Sequence, residues 1–184
     1  MGDDDLTAAA GRLEATTDYL ALDDRALLAR CQVDTYRARG PGGQKRNKTD
    51  SAVRLRLTDA GLVVTATESR SQHENRVRAL RRMRGQIALE LRRRVDLDAY
   101  QPGDLLAACI HRRSRFVVGA RDQRYPWIVR EVLDVIAACE ARVSRAAAKI
   151  GITTGALTTF LRRHAQVLAR VNRMRRQAGL KPIR

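Results

Sequence analysis

Several features that support common kinds of protein function are scarce or missing in this sequence of 184 residues. Aromatic residues make up only 4% of the chain, so few large rings are available for a core or for stacking on a ligand. The three cysteines, Cys31, Cys109 and Cys139, lack the Cys-x-x-Cys spacing of a zinc or redox site, so we expect reduced, buried thiols. No apolar run approaches the roughly 20 residues that a membrane helix needs, and the acidic start MGDDDL is unlike a targeting peptide. These absences predict a cytoplasmic protein that does not contact membranes.

Positive charge, in contrast, is present in excess. The formal net charge of +16 is too large for an ordinary enzyme of small neutral metabolites and attracts polyanions, of which nucleic acid is the first candidate. After an acidic leader, residues 37–94 carry 16 basic and 5 acidic groups, and residues 95–184 carry 17 and 7. Two basic blocks suit two contacts with a phosphate backbone, and the alternative is an ordinary solvated charged surface.

The pattern along the chain predicts two small domains. We expect an acidic flexible leader at residues 1–22, a first domain at 23–96, a connecting segment at 97–125 and a helical domain at 126–184. The predicted class is α+β, with a small mixed sheet covered by a long packed helix, followed by an all-α, helix-turn-helix-like domain.

Alternating and helical periods place the elements of the first domain. Asp23 or Asp24 can cap a short helix, and residues 32–37 alternate as a strand. Residues 52–68 predict a hairpin whose first strand has one apolar and one basic face. Ser69 or Ser71 can cap a helix that runs to about Arg94. Its predicted apolar stripe is Val77, Leu80, Met83, Ile87 and Leu91.

The second domain follows a break at Pro102 and Gly103. A helix should begin near Pro126, a favourable first-turn residue. The stretch VSRAAAKIGITTGALTTFLRRH then matches a helix-turn-helix template, with small, turn and apolar residues at Ala147, Gly151 and Leu157. Trp127, Tyr125 and Phe116 are expected in the core rather than as stacking platforms for bases, because a small helical domain needs its large apolar groups inside.

The stretch RARGPGGQKRNKTDSAVRL places an amide side chain directly after a glycine pair and among cations. Glycine permits positive φ and the close approach of another molecule to the main chain, and Gly42 and Gly43 would provide both beside Gln44. The alternative is a plain surface turn. The loop contains no nucleophilic dyad and no set of metal ligands, so its chemistry would depend on geometry.

Two stretches, GPGGQKRNKTDSAVRL and ESRSQHENR, resemble the signature stretches of the peptidyl-tRNA hydrolase (GGQ) domain of class I peptide chain release factors. The resemblance spans about residues 31–94. It implies a loop that reaches the peptidyl-transferase centre of the large ribosomal subunit and lets water cleave the ester between nascent peptide and tRNA. Lys45 and Arg46 stand where many relatives have a histidine and an apolar residue, so the outer contacts of this loop are expected to differ.

The resemblance also implies roles for individual residues. Gly42, Gly43 and Gln44 would be the catalytic residues, with the backbone N–H of Gln44 donating to the oxyanion. The expected partners are the ribosome, peptidyl-tRNA and rRNA, with no cofactor and no metal. The residues expected to bind RNA in this domain are Arg37, Arg39, Lys45, Arg46, Asn47, Lys48, Arg70 and Arg76.

Codon reading is not expected of this chain. Only about 36 residues precede the loop, which is too few for the codon-recognition domain of a full class I factor. The arrangement is similar to short bacterial release factor-like proteins without that domain, and it implies a monomer that rescues stalled ribosomes or terminates unconventionally. In the helix-turn-helix-like domain, Arg162 and Arg163 are expected to bind nucleic acid, and the alternative is that this domain only packs on the preceding helix. The alternative function is a non-catalytic RNA- or ribosome-binding protein that acts through that domain.

Overall fold

The structure, a computed structural model, describes residues 18–37, 50–111 and 115–184. The chain divides into two compact units, Met1–Ile87 and Ala88–Arg184. The first unit contains a sheet and the second is mostly helical, so the predicted α+β class is confirmed. The division falls inside the longest helix, and the domain limits drawn from the sequence stay predictions. Within the described ranges, no helix is both long enough and apolar enough to cross a membrane.

A three-stranded sheet organises the first unit. Its strands are β1 (Gln32–Tyr36), β2 (Ala52–Leu57) and β3 (Leu62–Ala66), in the order β1-β2-β3. Both strand pairings are antiparallel, whereas we expected a mixed sheet. Gly61, with φ of 65°, closes the turn between β2 and β3 in a left-handed conformation that glycine adopts without strain.

The central strand β2 separates an apolar face from a basic one, as its alternation predicts. Val53, Leu55 and Leu57 are buried, and Arg54 and Arg56 lie half-buried on the opposite face. Burial of the three apolar side chains favours this register, because a slip of one residue would turn the arginines into the core.

Two helices accompany the sheet. Helix α1 (Asp24–Ala29) begins at the predicted cap, where the Asp23 carboxylate accepts a hydrogen bond from the backbone N–H of Ala26 at 2.7 Å. Helix α2 (Gln72–Glu90) begins where expected but ends one turn before the predicted Arg94.

Most of the predicted apolar stripe of α2 is buried, with one exception. Leu80, Met83 and Ile87 are at most 6% exposed, whereas Val77 is 48% exposed, so the prediction for Val77 was wrong. The buried position in the first turns belongs instead to Asn75, which lies four residues before the buried Ala79. A polar side chain therefore replaces an apolar one at the start of the packed face.

The second unit begins with short elements and continues as a helical bundle. The segment 97–125 forms helix α3 (Asp104–Ala107) and a ladder between β4 (Ile110–His111) and β5 (Arg115–Phe116). The helices that follow are α4 (Tyr125–Ala138), α5 (Val143–Ile150), α6 (Thr154–Arg163) and α7 (Ala165–Gln177). The long helix predicted at Pro126 is confirmed, with proline in its first turn.

Helices α5 and α6 meet at a tight turn at the positions the template predicts. Gly151 ends α5 with φ of 83°, and the Thr153 hydroxyl caps α6 by accepting a hydrogen bond from the backbone N–H of Ala156 at 3.1 Å. Ala147 and Leu157 are both buried. The packing of the predicted helix pair is thus present, and its binding of nucleic acid stays a prediction.

The turn between α4 and α5 contains two non-glycine residues with positive φ, Glu140 at 55° and Ala141 at 58°. A left-handed conformation costs a residue with a Cβ about 1 kcal/mol. We expect Glu140→Gly to raise the free energy of unfolding by roughly 0.5 kcal/mol, because strain relief exceeds the added freedom of the unfolded chain. Urea unfolding of both proteins measures the difference. Gly151→Ala, which no nearby atom would obstruct, should lower stability through the backbone alone, and equal effects of the two changes would contradict this account.

Candidate functional site

The connection between β1 and β2 carries most of the residues that the sequence singles out. The three predicted catalytic residues Gly42, Gly43 and Gln44 lie outside the described residues. So do the predicted RNA-binding residues Arg39, Lys45, Arg46, Asn47 and Lys48. Both ends of the connection are described, and they determine where it leaves the sheet.

The two ends are held side by side. Tyr36, the last residue of β1, pairs with Ala52, the first residue of β2. One step further out, Arg37 Nε donates to Asp50 Oδ1 at 3.0 Å. Both side chains of this ion pair are more than half exposed, so its contribution to stability is small and its effect is to keep the ends together.

A cation–π contact stabilises the same end of the sheet, which we call the exit of the β1–β2 connection. The Arg54 guanidinium carbon lies 5.1 Å from the centroid of the Tyr36 ring. On the same face of the sheet, Arg56 Nη2 lies 3.0 Å from Asp34 Oδ2. The basic face of β2 therefore organises the strand that leads into the connection.

Asn75 fixes the other side of the exit. Its side chain is fully buried, and Nδ2 donates to two backbone carbonyls, those of Ser51 and Ser69, at 2.7 Å each. Asn75 Oδ1 accepts from the backbone N–H of Ser69 at 3.0 Å. Ser51, itself 5% exposed, is the last residue before β2. One amide thus joins the end of the connection to the turn before α2.

The sequence of that turn explains why Asn75 is oriented inward. The Ser69 hydroxyl accepts from the backbone N–H of Ser71 at 3.0 Å, and the Ser71 hydroxyl accepts from the N–H of Glu74 at 3.3 Å. Ser71 therefore caps the first turn of α2, and the serine pair sets the angle at which the chain enters the helix. The stretch ESRSQHENR therefore forms the turn before α2 and the first residues of α2, and it contains the buried amide of Asn75.

Comparison with known proteins shows what this region of the chain is similar to. Residues 28–101 match the RF-1 domain family. Peptide chain release factor 2 of Bordetella avium is 49% identical over 65 residues, which are 35% of this chain and 18% of that protein. Peptide chain release factor 1 of Caldicellulosiruptor bescii is 35% identical over 126 residues, which are 65% of this chain and 33% of that protein. Residues 28–101 are therefore similar to the RF-1 domain of peptide chain release factors, and we call this region the RF-1 domain of the chain.

The matched regions span 18% and 33% of the lengths of these two relatives. The family resemblance drawn from the two signature stretches is confirmed, and both stretches fall inside the matched residues. In the RF-1 domain of this chain, the two stretches meet at Asn75, through its bonds to Ser51 and Ser69.

The remaining site residues of the RF-1 domain lie around that junction. Arg70 is exposed between the two serines of the turn, and within the described ranges it has no carboxylate partner. Arg76 follows Asn75 and is half-buried, and its Nε is buried with no acceptor among the described residues. Arg37 lies at the base of the connection. These three cations therefore border the exit of the loop, whereas the exposed Arg162 and Arg163 end α6 in the second unit.

Other arginines of the RF-1 domain serve the fold. Arg82 donates to the Thr65 carbonyl and to the Glu68 carboxylate, which ties the end of β3 to α2. Burial alone would raise the pKa of Glu68, but the hydrogen bond and charge of Arg82 and the backbone hydrogen bonds to this carboxylate together outweigh burial and lower that pKa. Arg84 pairs with Asp24 at 2.8 Å and so connects α2 with α1. The charge count of the sequence therefore overstates the number of cations available to a ligand.

Sequence reasoning did not assign a role to Asn75, although it matched this residue within the second stretch. The signal lay in the helical period, because Asn75 is in phase with Ala79 and Met83, both fully buried. A polar residue at a core position of a helix requires partners for its amide. Its partners Ser51 and Ser69 offer main-chain atoms, which no side-chain pattern could predict.

Within the described residues, neither thiols nor metal ligands contribute to the candidate site. Cys109 and Cys139 are buried and Cys31 is half-buried, and burial raises the pKa of each thiol. Over the described ranges, no three or more His, Cys, Asp or Glu side chains gather as metal ligands would.

Proposed function

We propose that this chain hydrolyses the ester bond of peptidyl-tRNA in the peptidyl-transferase centre of the large ribosomal subunit. The observation that carries the proposal is the anchored exit of the β1–β2 connection, where Asn75 links the two signature stretches of the RF-1 domain. A loop that must place one backbone amide against a reacting carbonyl needs fixed ends, because small displacements are costly in catalysis.

The proposed chemistry depends on the main chain of the loop. Water attacks the ester carbonyl, the carbon–oxygen bond to the tRNA ribose breaks, and the ribose oxygen leaves with a proton. The backbone N–H of Gln44 donates to the oxyanion that develops on the carbonyl, and Gly42 and Gly43 set its direction. The Gln44 side chain narrows the space so that water rather than a larger nucleophile attacks.

The cations around the exit would position the loop on RNA. Arg37, Arg70 and Arg76 border the base of the connection and would contact phosphates, which fixes orientation without reading sequence. The buried Nε of Arg76 supplies a donor that an RNA oxygen would satisfy.

We further propose that release does not need a stop codon. The test uses ribosomes that carry labelled peptidyl-tRNA on truncated messenger, on messenger with a stop codon in the A site, and on messenger with a sense codon there. Comparable release from the first two complexes would support codon independence, and release confined to the stop-codon complex would overturn it. Ribosome binding without release from any complex at saturating protein would favour the non-catalytic alternative, in which α6 with Arg162 and Arg163 does the binding.

Ribosome binding should weaken steeply with salt. Contacts with several phosphates release counterions, so affinity falls by orders of magnitude for a protein with six or more such contacts between about 50 and 200 mM salt. Sedimentation of the protein with 70S ribosomes and with isolated large subunits across this range measures the slope. Replacing Arg37 and Arg70 together with glutamine should reduce the slope, whereas replacing Arg78, which lies 3.6 Å from Glu74, should not. A flat salt response would contradict the assignment of these cations to RNA.

A further inference from the structure

We propose that the solvent side of helix α6 binds the backbone of double-stranded RNA. This surface, which we call the α6 face, consists of Gly155, Thr158, Thr159, Arg162 and Arg163, of which only Thr158 is half-buried and the others are exposed. It lies in the second unit, whereas the loop proposed to hydrolyse peptidyl-tRNA belongs to the first. It therefore adds a separate RNA contact to the proposed function, and binding there does not require hydrolysis.

The helical period separates the α6 face from the core. Ala156, Leu157, Phe160 and Leu161 are buried, and at about 100° per residue they occupy the opposite side of the helix. Rotation of α6 about its axis would expose these four apolar side chains to water. Packing of the core thus fixes which side chains α6 turns to solvent before any ligand binds.

Negative charge is absent from α6 and from the elements that pack on it. Helix α6 packs against α5, α7 and β5, and none of these four elements contains an aspartate or a glutamate. From Ala141 to Arg184 the sequence has 11 lysines and arginines and no acidic residue. A surface of this composition attracts polyanions, and no carboxylate of these elements offsets the attraction.

The cations of the α6 face have donors that no other group uses. Arg163 makes no hydrogen bond or ion pair with the described residues. Within the same ranges Arg162 uses only Nε, which donates to the main-chain oxygen of Arg184 at 2.7 Å, so its terminal nitrogens can donate to a phosphate. The Asn172 side chain holds the same tail through two hydrogen bonds with the main chain of Ile183, at 2.7 and 3.1 Å. Three arginines therefore come together at the end of α6.

Threonine and glycine complete the surface. The hydroxyls of Thr158 and Thr159 have no hydrogen-bond partner among the described residues, and each can donate to and accept from the 2′-hydroxyl of RNA. A Cβ at Gly155 would meet only the Thr153 hydroxyl oxygen, at 4.0 Å. Packing within the unit therefore does not require glycine there, and the bare main chain permits close approach of another backbone.

The composition of the α6 face favours a duplex over an unpaired strand. Proteins bind unpaired bases by stacking them on aromatic rings, and none of the five residues of this face is aromatic. Double-stranded RNA exposes phosphates and 2′-hydroxyls across its wide, shallow minor groove, and arginine and threonine bind these groups. Binding should therefore depend on the geometry of RNA and little on its base sequence.

A labelled duplex tests the proposal with the full chain and without ribosomes. The protein is titrated into a fluorescein-labelled RNA duplex of about 20 base pairs, which exceeds the roughly 16 that a double-stranded RNA-binding domain spans, while anisotropy is recorded. Unlabelled competitors are RNA duplexes of the same and of a different sequence, the corresponding DNA duplex, one RNA strand alone and an acidic peptide. The two RNA duplexes should compete equally and best. Absence of binding, equal or better competition by DNA or by the single strand, or displacement by the peptide would overturn the proposal.

Two double variants locate the site on α6. Arg162→Gln with Arg163→Gln should lower the slope of log affinity against log salt by about 2, one for each lost phosphate contact. Arg25→Gln with Arg30→Gln removes the same charge from two exposed arginines at helix α1 and should leave the slope unchanged. Equal slopes for the two double variants would refute binding at α6.

Two changes that spare the core of α6 test the middle and the start of the face. Thr159→Glu should weaken duplex binding by about 10-fold or more because it brings a carboxylate to the phosphates, whereas Thr58→Glu, at an exposed threonine of the first unit, should not. Gly155→Ala should not lower the free energy of unfolding, because alanine favours helices, yet it should weaken binding several-fold by adding a methyl group at the contact. Urea unfolding verifies the fold of each variant. Parent affinity in a folded Thr159→Glu protein would place the RNA elsewhere and overturn the proposal.

Discussion

Gly43→Ala should lower the rate of peptide release by about 100-fold or more while the protein still binds ribosomes. This is the effect of losing one oxyanion donor, about 2.7–4 kcal/mol in activation free energy. A methyl group at this position would misdirect the Gln44 amide, whose direction the glycine pair sets in the proposed mechanism. The measurement is single-turnover release of labelled peptide from ribosomes at saturating protein.

Gln44→Ala tests whether the main chain or the side chain of Gln44 supports peptide release. It keeps the backbone N–H and removes only the side-chain amide, so it should impair release less than Gly43→Ala does. Peptide release by this variant should also become less selective for water over a small added nucleophile such as hydroxylamine. Release by Gly43→Ala at the parent rate, with binding intact, would refute the proposed role of the glycines, and the loop would then be a surface turn.

Local elements of the first unit could be predicted because each depends on residues close together in the sequence. Asp23 caps α1 with its own carboxylate, and β2 alternates as a strand with one buried face must. The early end of α2 at Glu90 had no such signal, because the arginines that follow are good helix formers. There Asp134 accepts hydrogen bonds from Arg92 and from the main chain of Arg93, and this contact lies more than 40 residues away in sequence.

The residues of the candidate site could be predicted from the sequence, but the hydrogen bonds that join them could not. The glycine–glutamine loop and the second signature stretch identify the RF-1 domain from their residues alone. How the stretches join depends on hydrogen bonds from Asn75 to carbonyls of Ser51 and Ser69, and main-chain partners leave no trace in a pattern of side chains. Trp127 and Tyr125 were expected in the core, but both are only half-buried, whereas Phe116 is buried. Their residue types favour burial, and their partial exposure depends on tertiary packing that a pattern of side chains does not show.

Asn75→Ala should destabilise the RF-1 domain by about 3 kcal/mol and reduce peptide release further than the loss of folded protein explains. The change leaves the Ser51 carbonyl and both main-chain groups of Ser69 without their partner, and each unsatisfied buried group costs about 1–3 kcal/mol unless water reaches it. It also frees the residue that precedes β2, so the exit of the loop loses its anchor. Urea unfolding measures the first effect, and release at low temperature, where the variant is still folded, measures the second.

Two further variants make this prediction specific. Gln72→Ala, an exposed change in the first turn of the same helix, should alter stability by less than about 0.5 kcal/mol and leave release unchanged. Asn75→Asp keeps the acceptor for the Ser69 N–H but turns a carboxylate oxygen toward the two carbonyls, so it should destabilise at pH 7 and recover partly in acid, where a protonated carboxyl can donate. If Asn75→Ala unfolded at the same urea concentration as the parent and released peptide at the same rate, the amide would have no part in holding the loop. A variant that was destabilised but released peptide at the parent rate when folded would restrict Asn75 to the fold and leave the position of the loop to the Arg37–Asp50 pair and the strand ends.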